Sequence, residues 1–184
     1  MPTVYLAGGC YWGVQTYYDR VQGVTSTVAG FAQSRIPRPT GEQIASGEAG
    51  AVETVAVAYD SQQVSLQTLA RLHALLIQET PADEKTPISE HAGFYWTDSE
   101  QRDAFEAAIR ERNLADVTIE RLTRFEESSE EQQHYLASHP GAECHIPLAL
   151  LNEVGKYQKE LSMLEQCHCS QIACVHRGPT TISY

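Results

Sequence analysis

The chain has 184 residues, of which 42% are hydrophobic and 20% charged, and its formal net charge is -11 at pH 7. These values are ordinary for a globular protein of one domain. The negative charge argues against nucleic acid as a partner, because phosphate binding needs clustered Lys and Arg. No apolar run approaches the ~20 residues that span a bilayer, and the N-terminus lacks the features of a signal peptide. We therefore expect a cytoplasmic protein without a membrane partner.

Hydrophobic periodicity predicts alternating strands and helices. The predicted elements are a strand at 3–7, a helix at 10–21, strands at 25–31 and 53–59, a helix from residue 66, a strand at 93–96, a helix at about 97–112, a strand at 117–122 and a short helix at 130–136. Proline and glycine predict loops between residues 37 and 50, and Thr97 with Glu100 is spaced as a capping box. This order indicates an α+β fold in which helices cover one face of a mostly antiparallel sheet.

We assign residues 1–137 to a catalytic domain and residues 138–184 to a C-terminal segment with one helix within 148–164 followed by a tail. Four of the five cysteines fall in this segment: Cys144, Cys167, Cys169 and Cys174. A disulfide framework would not be spaced in this way. In a reducing compartment, such cysteines tend to be catalytic or metal-bound.

The densest chemical signal is Gly8-Gly9-Cys10-Tyr11-Trp12-Gly13. A strand ends, two glycines allow a tight turn, and Cys10 opens a helix. The unpaired N–H groups of a helix N-terminus favour an anion, so the expected pKa of the Cys10 thiol is depressed. Tyr11 and Trp12 would line an apolar pocket. From geometry alone, the alternative that Cys10 is a small buried core residue stays open.

The motif resembles the Gly-Cys-Phe-Trp-Gly signature of the A-type peptide methionine sulfoxide reductases. The resemblance continues over residues 23–60, including Gly23-Val24, Ser26-Thr27, Gly30-Phe31-Ala32, Pro37, Pro39, Thr40, Glu42, Ser46, Gly47, Gly50, Glu53, Val55, Val57, Tyr59 and Asp60. It implies the family's ferredoxin-like α/β roll. It also implies that Cys10 is the nucleophile and Glu53 the acid in the reduction of methionine sulfoxide or a related small sulfur oxide.

Several predicted pocket residues depart from the family pattern. Phe31 replaces a Tyr whose hydroxyl binds the substrate oxygen in the family, and Glu90 stands where the family has another Tyr. We assign Tyr11, Trp12, Phe31 and Glu90 to the substrate pocket. A carboxylate beside aromatic rings suits a cation, so the departures predict a preference for a small, positively charged sulfoxide. The alternative, that Glu90 points into solvent and another residue supplies the missing hydrogen bond, stays open.

Attack by Cys10 would release the reduced product and leave a sulfenic acid, which a second thiol converts to a disulfide. Family members often carry a recycling cysteine near the C-terminus, and Cys167, Cys169 and Cys174 are the candidates. An external dithiol such as thioredoxin would then restore the enzyme, and no bound cofactor is expected.

Two alternatives belong to other functional classes. In the first, the altered pocket has lost turnover and the protein is a redox sensor. In the second, the cysteines and histidines of the C-terminal segment bind zinc in an interaction protein. The candidate ligands are Cys144, His145, Cys167, His168, Cys169, Cys174 and His176, although their spacing is not a standard zinc pattern.

Overall fold

The computed structural model describes residues 1–80 and 90–175, with side chains as far as Gln166. The strands are β1 (Thr3–Ala7), β2 (Val24–Ala32), β3 (Val52–Tyr59), β4 (Gly93–Trp96), β5 (Thr118–Arg121) and β6 (Phe125–Glu127). The helices are α1 (Tyr11–Tyr18), α2 (Gly41–Ala45), α3 (Leu66–Glu79), α4 (Ser99–Glu111), α5 (Tyr135–Ser138) and α6 (Leu148–Val175). Within these residues, no helix combines the length and apolar character that a membrane crossing requires.

The six strands form one sheet in the order β5-β4-β1-β3-β2-β6. Neighbouring strands are antiparallel except for β4 and β5, which run parallel. The expected α+β fold with a mostly antiparallel sheet is therefore confirmed. The division of the chain between residues 137 and 138 stays a prediction.

The main core lies between the sheet and the helices. Val4 and Leu6 alternate along β1 and are fully buried, as are Leu69 and Leu72 of α3. The Tyr17 hydroxyl of α1 donates a hydrogen bond to the backbone oxygen of Leu72 at 3.2 Å, which ties the two helices together. A period of two in the strand and of three to four in the helix thus directs apolar side chains to one shared interior.

The first part of α6 also packs on this core. Leu150, Leu151, Val154 and Leu161 are buried on its inner face. Arg20, in the turn after α1, donates to the backbone oxygen of Leu151 at 2.9 Å. The C-terminal segment therefore does not begin as an irregular extension, because its apolar stripe covers the outer side of the helical layer.

Three local predictions are corrected. A helix, α2, forms in the expected loop because the Thr40 hydroxyl and the Gln43 side chain make a capping box. The cap of α4 is Asp98, whose carboxylate accepts from the Gln101 N–H at 3.0 Å, not the expected Thr97 and Glu100 pair. Helix α6 continues to Val175 beyond the predicted end at residue 164.

The antiparallel pairing of β1 and β3 positions the candidate site. Leu6 of β1 lies opposite Val55 of β3. Because the strands run in opposite directions, β1 leads into Gly8-Gly9-Cys10 at the edge where β3 begins with Val52 and Glu53. The turn that carries the thiol and the predicted acid therefore meet at one end of the sheet.

Candidate active site

Cys10 is the N-cap residue of α1, and its backbone oxygen accepts hydrogen bonds from Gly13 and Val14. Gly9 before it has φ +92°, a left-handed conformation that favours glycine. The glycine turn therefore brings the chain sharply from β1 into α1. The thiol is free and partly buried at the start of the helix.

Burial, and after it the neighbouring Glu53, together raise the pKa of the Cys10 thiol to about 12. The Trp12 backbone N–H acts in the opposite direction, as expected of a helix N-terminus, but its effect is smaller. The prediction of a depressed pKa for resting Cys10 is therefore wrong, because loss of solvent and a nearby carboxylate outweigh one N–H group. Cys10 needs a proton acceptor to become a thiolate.

Glu53 is suited to exchange that proton. Its Oε2 accepts a hydrogen bond from the Tyr11 backbone N–H at 3.0 Å, and its carboxyl is in hydrogen-bonding contact with the Cys10 side chain. Burial raises the pKa of Glu53 to about 7, with a further contribution from the charge of Glu90. The carboxyl therefore takes up and releases a proton near neutral pH.

Tyr11 and Phe31 form one aromatic wall beside this pair. Their ring centroids are 5.5 Å apart with the planes tilted by 52°, and Phe31 lies opposite Glu53 in the pairing of β2 with β3. Burial raises the pKa of the Tyr11 hydroxyl to about 12, and Glu53 adds to the rise. The hydroxyl therefore stays a neutral hydrogen-bond donor at physiological pH.

Trp12 is held by the segment that follows β6. Its indole Nε1–H donates to Gln132 Oε1 at 3.0 Å, and its ring stacks on Tyr135 at 3.8 Å with an interplanar angle of 12°. Tyr135 in turn stacks on His139 at 4.0 Å. One face of Trp12 is thus covered by protein, which fixes the orientation of the ring at the site.

A pair of hydrogen-bonded glutamines, one of them buried, anchors that segment. Gln15 of α1 is fully buried and donates to Gln133 Oε1 at 3.1 Å. Gln133 also pairs with the backbone of Ala29, accepting from its N–H and donating to its oxygen, both at 2.8 Å. These bonds connect α1, β2 and the chain after β6, so the rings beside Cys10 rest on a satisfied polar network.

His73 supports the glycine turn from below. It is fully buried on α3, and its Nε2–H donates to the backbone oxygen of Ala7 at 2.9 Å. Burial lowers the pKa of His73 to about 4, so the ring is neutral. A side-chain carbon on Gly8 would lie 2.7 Å from Leu76 Cδ2 and 3.2 Å from this ring, which explains the small residue there.

Glu90 lies within electrostatic reach of the site. Its carboxylate raises the pKa of both Cys10 and Glu53, and the residue is half-buried. The structure therefore places Glu90 close enough to Cys10 and Glu53 for its charge to act on both. Its role in binding substrate stays a prediction.

A second thiol, which the sequence analysis considered only as a zinc ligand, lies over the first turn of α1. A side-chain carbon on Gly13 would lie 3.1 Å from Cys144 Sγ, and Cys144 also raises the pKa of Cys10. Cys144 is a free, partly buried thiol. The signal in the sequence was the Cys144-His145 dipeptide after Pro140-Gly141, but only the fold shows that it returns to α1.

The resolving cysteines predicted from the sequence lie on a helix. Cys167, Cys169 and Cys174 lie on the helical backbone of α6, not in an irregular tail, and their side chains lie outside the described residues. Helix-forming Leu, Glu and Gln residues continue past the predicted end, which accounts for the longer helix.

The zinc alternative rests on residues that are only partly described. Among the side chains that the structure describes, no group of three or more His, Cys, Asp or Glu residues is arranged to hold a metal ion. Cys144 and His145 are described and lie at α1. His176, the last of the candidate ligands, falls outside the described residues.

The chain is similar to known proteins in sequence and in fold. A family model described as peptide methionine sulfoxide reductase matches residues 2–162. The peptide methionine sulfoxide reductase MsrA of Mycoplasma pneumoniae is 33% identical over 154 residues, which cover 79% of this chain and 98% of the relative.

Two solved structures of Mxr1 from Saccharomyces cerevisiae share the fold. The reduced form has a TM-score of 0.71 at 17% identity and covers 80% of this chain and 91% of that one. Mxr1 in complex with Trx2 has a TM-score of 0.51 at 16% identity and covers 73% of this chain and 84% of that one. Because the family model matches residues 2–162 of the chain, this chain belongs to the peptide methionine sulfoxide reductase family.

Proposed function

We propose that the protein is a thiol-dependent oxidoreductase that reduces methionine sulfoxide, with Cys10 as nucleophile and Glu53 as the group that transfers the proton. The observation that carries the proposal is the contact between Cys10 and Glu53 beside the rings of Tyr11 and Phe31, with Cys144 over the first turn of the same helix. The description of the matched family and of the relative from Mycoplasma pneumoniae supports the same reaction.

The two raised pKa values suggest how the pair operates. A thiol whose pKa is about 12 does not ionise by itself at neutral pH, whereas a carboxyl whose pKa is about 7 can accept its proton. The Cys10 sulfur then attacks the sulfoxide sulfur while Glu53 passes the proton to the sulfoxide oxygen. In the net step the oxygen moves to Cys10, which gives a sulfide and a cysteine sulfenic acid.

The aromatic residues would bind the remainder of the reacting group. Tyr11, Phe31 and the Trp12 ring present apolar surface next to the thiol, and this surface suits the methyl group on sulfur. The neutral Tyr11 hydroxyl is available as a hydrogen-bond donor. Glu90 adds a negative charge that would favour a substrate with a nearby cation.

Cys144 is the resolving thiol that we propose for the first disulfide. Its sulfur lies over Gly13 and it also lines an open surface cavity of about 350 Å³. A disulfide between Cys10 and Cys144 would therefore be accessible to a second protein. The originally predicted Cys167, Cys169 and Cys174 would act later, as carriers between this disulfide and the external reductant.

The external reductant that we propose is a thioredoxin-like dithiol, which reduces the disulfide by thiol exchange. Mxr1, which shares the fold, has been solved with Trx2. The reaction described needs no bound cofactor, because the substrate supplies the oxidant and the dithiol supplies the electrons. A reducing compartment such as the cytoplasm would keep Cys10 in its working state.

The test is a turnover assay with a methionine sulfoxide peptide and a thioredoxin system. We expect the wild-type protein to release the sulfide product, which is the peptide with reduced methionine, continuously. Cys10→Ser should release none. The redox-sensor alternative predicts oxidation of Cys10 by peroxide but no sulfide product. Absence of sulfide from the wild-type protein, under conditions in which Cys10 is reduced, would contradict the proposed function.

A further inference from the structure

His145 occupies a slot in the first turn of α1. Its Nε2–H donates to the backbone oxygen of Gly8 at 2.8 Å. A side-chain carbon on Gly9 would lie 2.5 Å from Nε2, and one on Gly13 would lie 2.9 Å from Cε1. The imidazole thus fills the space left by the missing side chains of Gly9 and Gly13. These two glycines lie on either side of Cys10 in the sequence.

This contact fixes the residue that precedes His145 in the chain. Cys144 Sγ and His145 Nδ1 each lie 3.1 Å from the same point, the position that a side-chain carbon on Gly13 would occupy. The imidazole and the thiol therefore rest together on one helical turn. Ile146, which follows them, is buried in the core and holds the other side of the segment.

The Gly8 oxygen is an acceptor only, so the hydrogen bond requires a proton on Nε2. Gly13 adopts an ordinary helical conformation, since its φ is not among the positive values. Its lack of a side chain is therefore not required by the backbone. It is required by the space that Cys144 and His145 occupy.

We propose that His145 is a positioning residue for recycling: by docking into the slot formed by Gly8, Gly9 and Gly13, it holds Cys144 within reach of oxidised Cys10. The inference rests on the proposed function and concerns only its second step. In that step the Cys144 thiol attacks the sulfur of the Cys10 sulfenic acid. A sulfur–sulfur bond forms, the sulfur–oxygen bond breaks, and the thiol proton leaves with the hydroxide as water.

The two steps are separable in a single turnover without reductant. Sulfide release measures the reaction of Cys10 with the peptide sulfoxide. Loss of two free thiols per chain, together with peptide mapping of the Cys10–Cys144 bond, measures the resolving step. We expect His145→Ala to release sulfide within about twofold of the wild-type rate but to form the disulfide about tenfold more slowly, as loss of one hydrogen bond and its contacts implies.

A conservative variant tests the hydrogen bond. The amide N–H of His145→Gln can donate to the Gly8 oxygen, so we expect it to recover most of the rate of disulfide formation. Glu143→Ala is the matched control, because Glu143 is an exposed side chain directly before Cys144 on the same segment. It should leave both steps unchanged.

Gly13→Ala tests the same slot while residue 145 stays a histidine. The added methyl group would displace the Cys144 and His145 side chains, while alanine favours the helix, so disulfide formation should slow and sulfide release should persist. Disulfide formation at the wild-type rate in both His145→Ala and Gly13→Ala would overturn the inference. A His145→Gln variant as slow as His145→Ala would also overturn it. Failure of the wild-type protein to release sulfide would instead reject the proposed function.

Discussion

Replacing Glu53 by Gln should make the protein more stable at alkaline pH while removing its activity. The pKa of Glu53 is raised from 4.5 to about 7 by burial, so the folded state binds this proton more tightly than the unfolded state does. That stability is fully present below the unfolded pKa and is lost as the pH rises through about 7. A shift of this size corresponds to about 3 kcal/mol in total, of which about 2–3 kcal/mol falls between pH 5 and 8.

The Gln variant keeps an amide oxygen that can accept from the Tyr11 N–H, but it carries no charge at any pH. Its free energy of unfolding relative to the wild type should therefore rise by about 2–3 kcal/mol from pH 5 to pH 8. Urea unfolding at both pH values measures this difference. Sulfoxide reduction by the same variant should fall by about a hundredfold or more, as expected on losing a general acid.

Glu48→Gln is the matched control, because Glu48 is an exposed carboxylate in the turn before β3. Its stability relative to the wild type should not vary with pH over this range. The reasoning would be refuted if Glu53→Gln and the wild type lost stability in parallel between pH 5 and 8. That result would mean that Glu53 is solvated and ionised in the folded protein, and the proton-transfer role would lose its physical basis.

Three further predictions follow from the same pocket. Alkylation of resting Cys10 by iodoacetamide should keep rising with pH beyond 9, because the pKa of its thiol is about 12; a plateau reached by pH 7 would contradict this environment. Cys144→Ser should release one equivalent of sulfide and then stop with a thioredoxin system as reductant, and continuous turnover would show that another thiol resolves Cys10. Glu90→Gln should lower the pKa of Glu53, since the charge of Glu90 raises that pKa. The variant should also reduce kcat/KM for a cationic sulfoxide about tenfold relative to a neutral peptide sulfoxide. If the ratio of the two kcat/KM values is the same in the wild type and the variant, the preference for cations is rejected.

Most of the chemistry predicted from the sequence depended on the local motif around Cys10. Two glycines between a buried strand and a helix define where the thiol lies, since backbone geometry and periodicity are local properties. Glu53 was assignable only through the family resemblance, because one carboxylate on a strand has no local signature of function. The structure explains the assignment, since β1 and β3 are antiparallel and bring residues 10 and 53 to the same edge.

The pKa of Cys10 shows why local reasoning failed for reactivity. A helix N-terminus lowers a thiol pKa, and the Trp12 N–H does act in that direction. The net direction, however, depends on how much solvent is removed and on which charges approach from β3 and from Glu90. Those distances are set by packing between elements far apart in the chain, so no window of sequence around Cys10 contains them.

The sequence by itself determined the alternation of strands and helices and the place of the nucleophile, because both follow from short-range patterns. Only the tertiary structure shows that a second thiol, that of Cys144, lies over the first turn of α1. Composition does not distinguish Cys144 from the three cysteines that follow it. In the folded chain, the stacking of Tyr135 on Trp12 and the hydrogen bond of His145 to Gly8 bring Cys144 back to α1. These contacts join residues more than a hundred positions apart, and their free energy comes from packing that exists only in the folded chain.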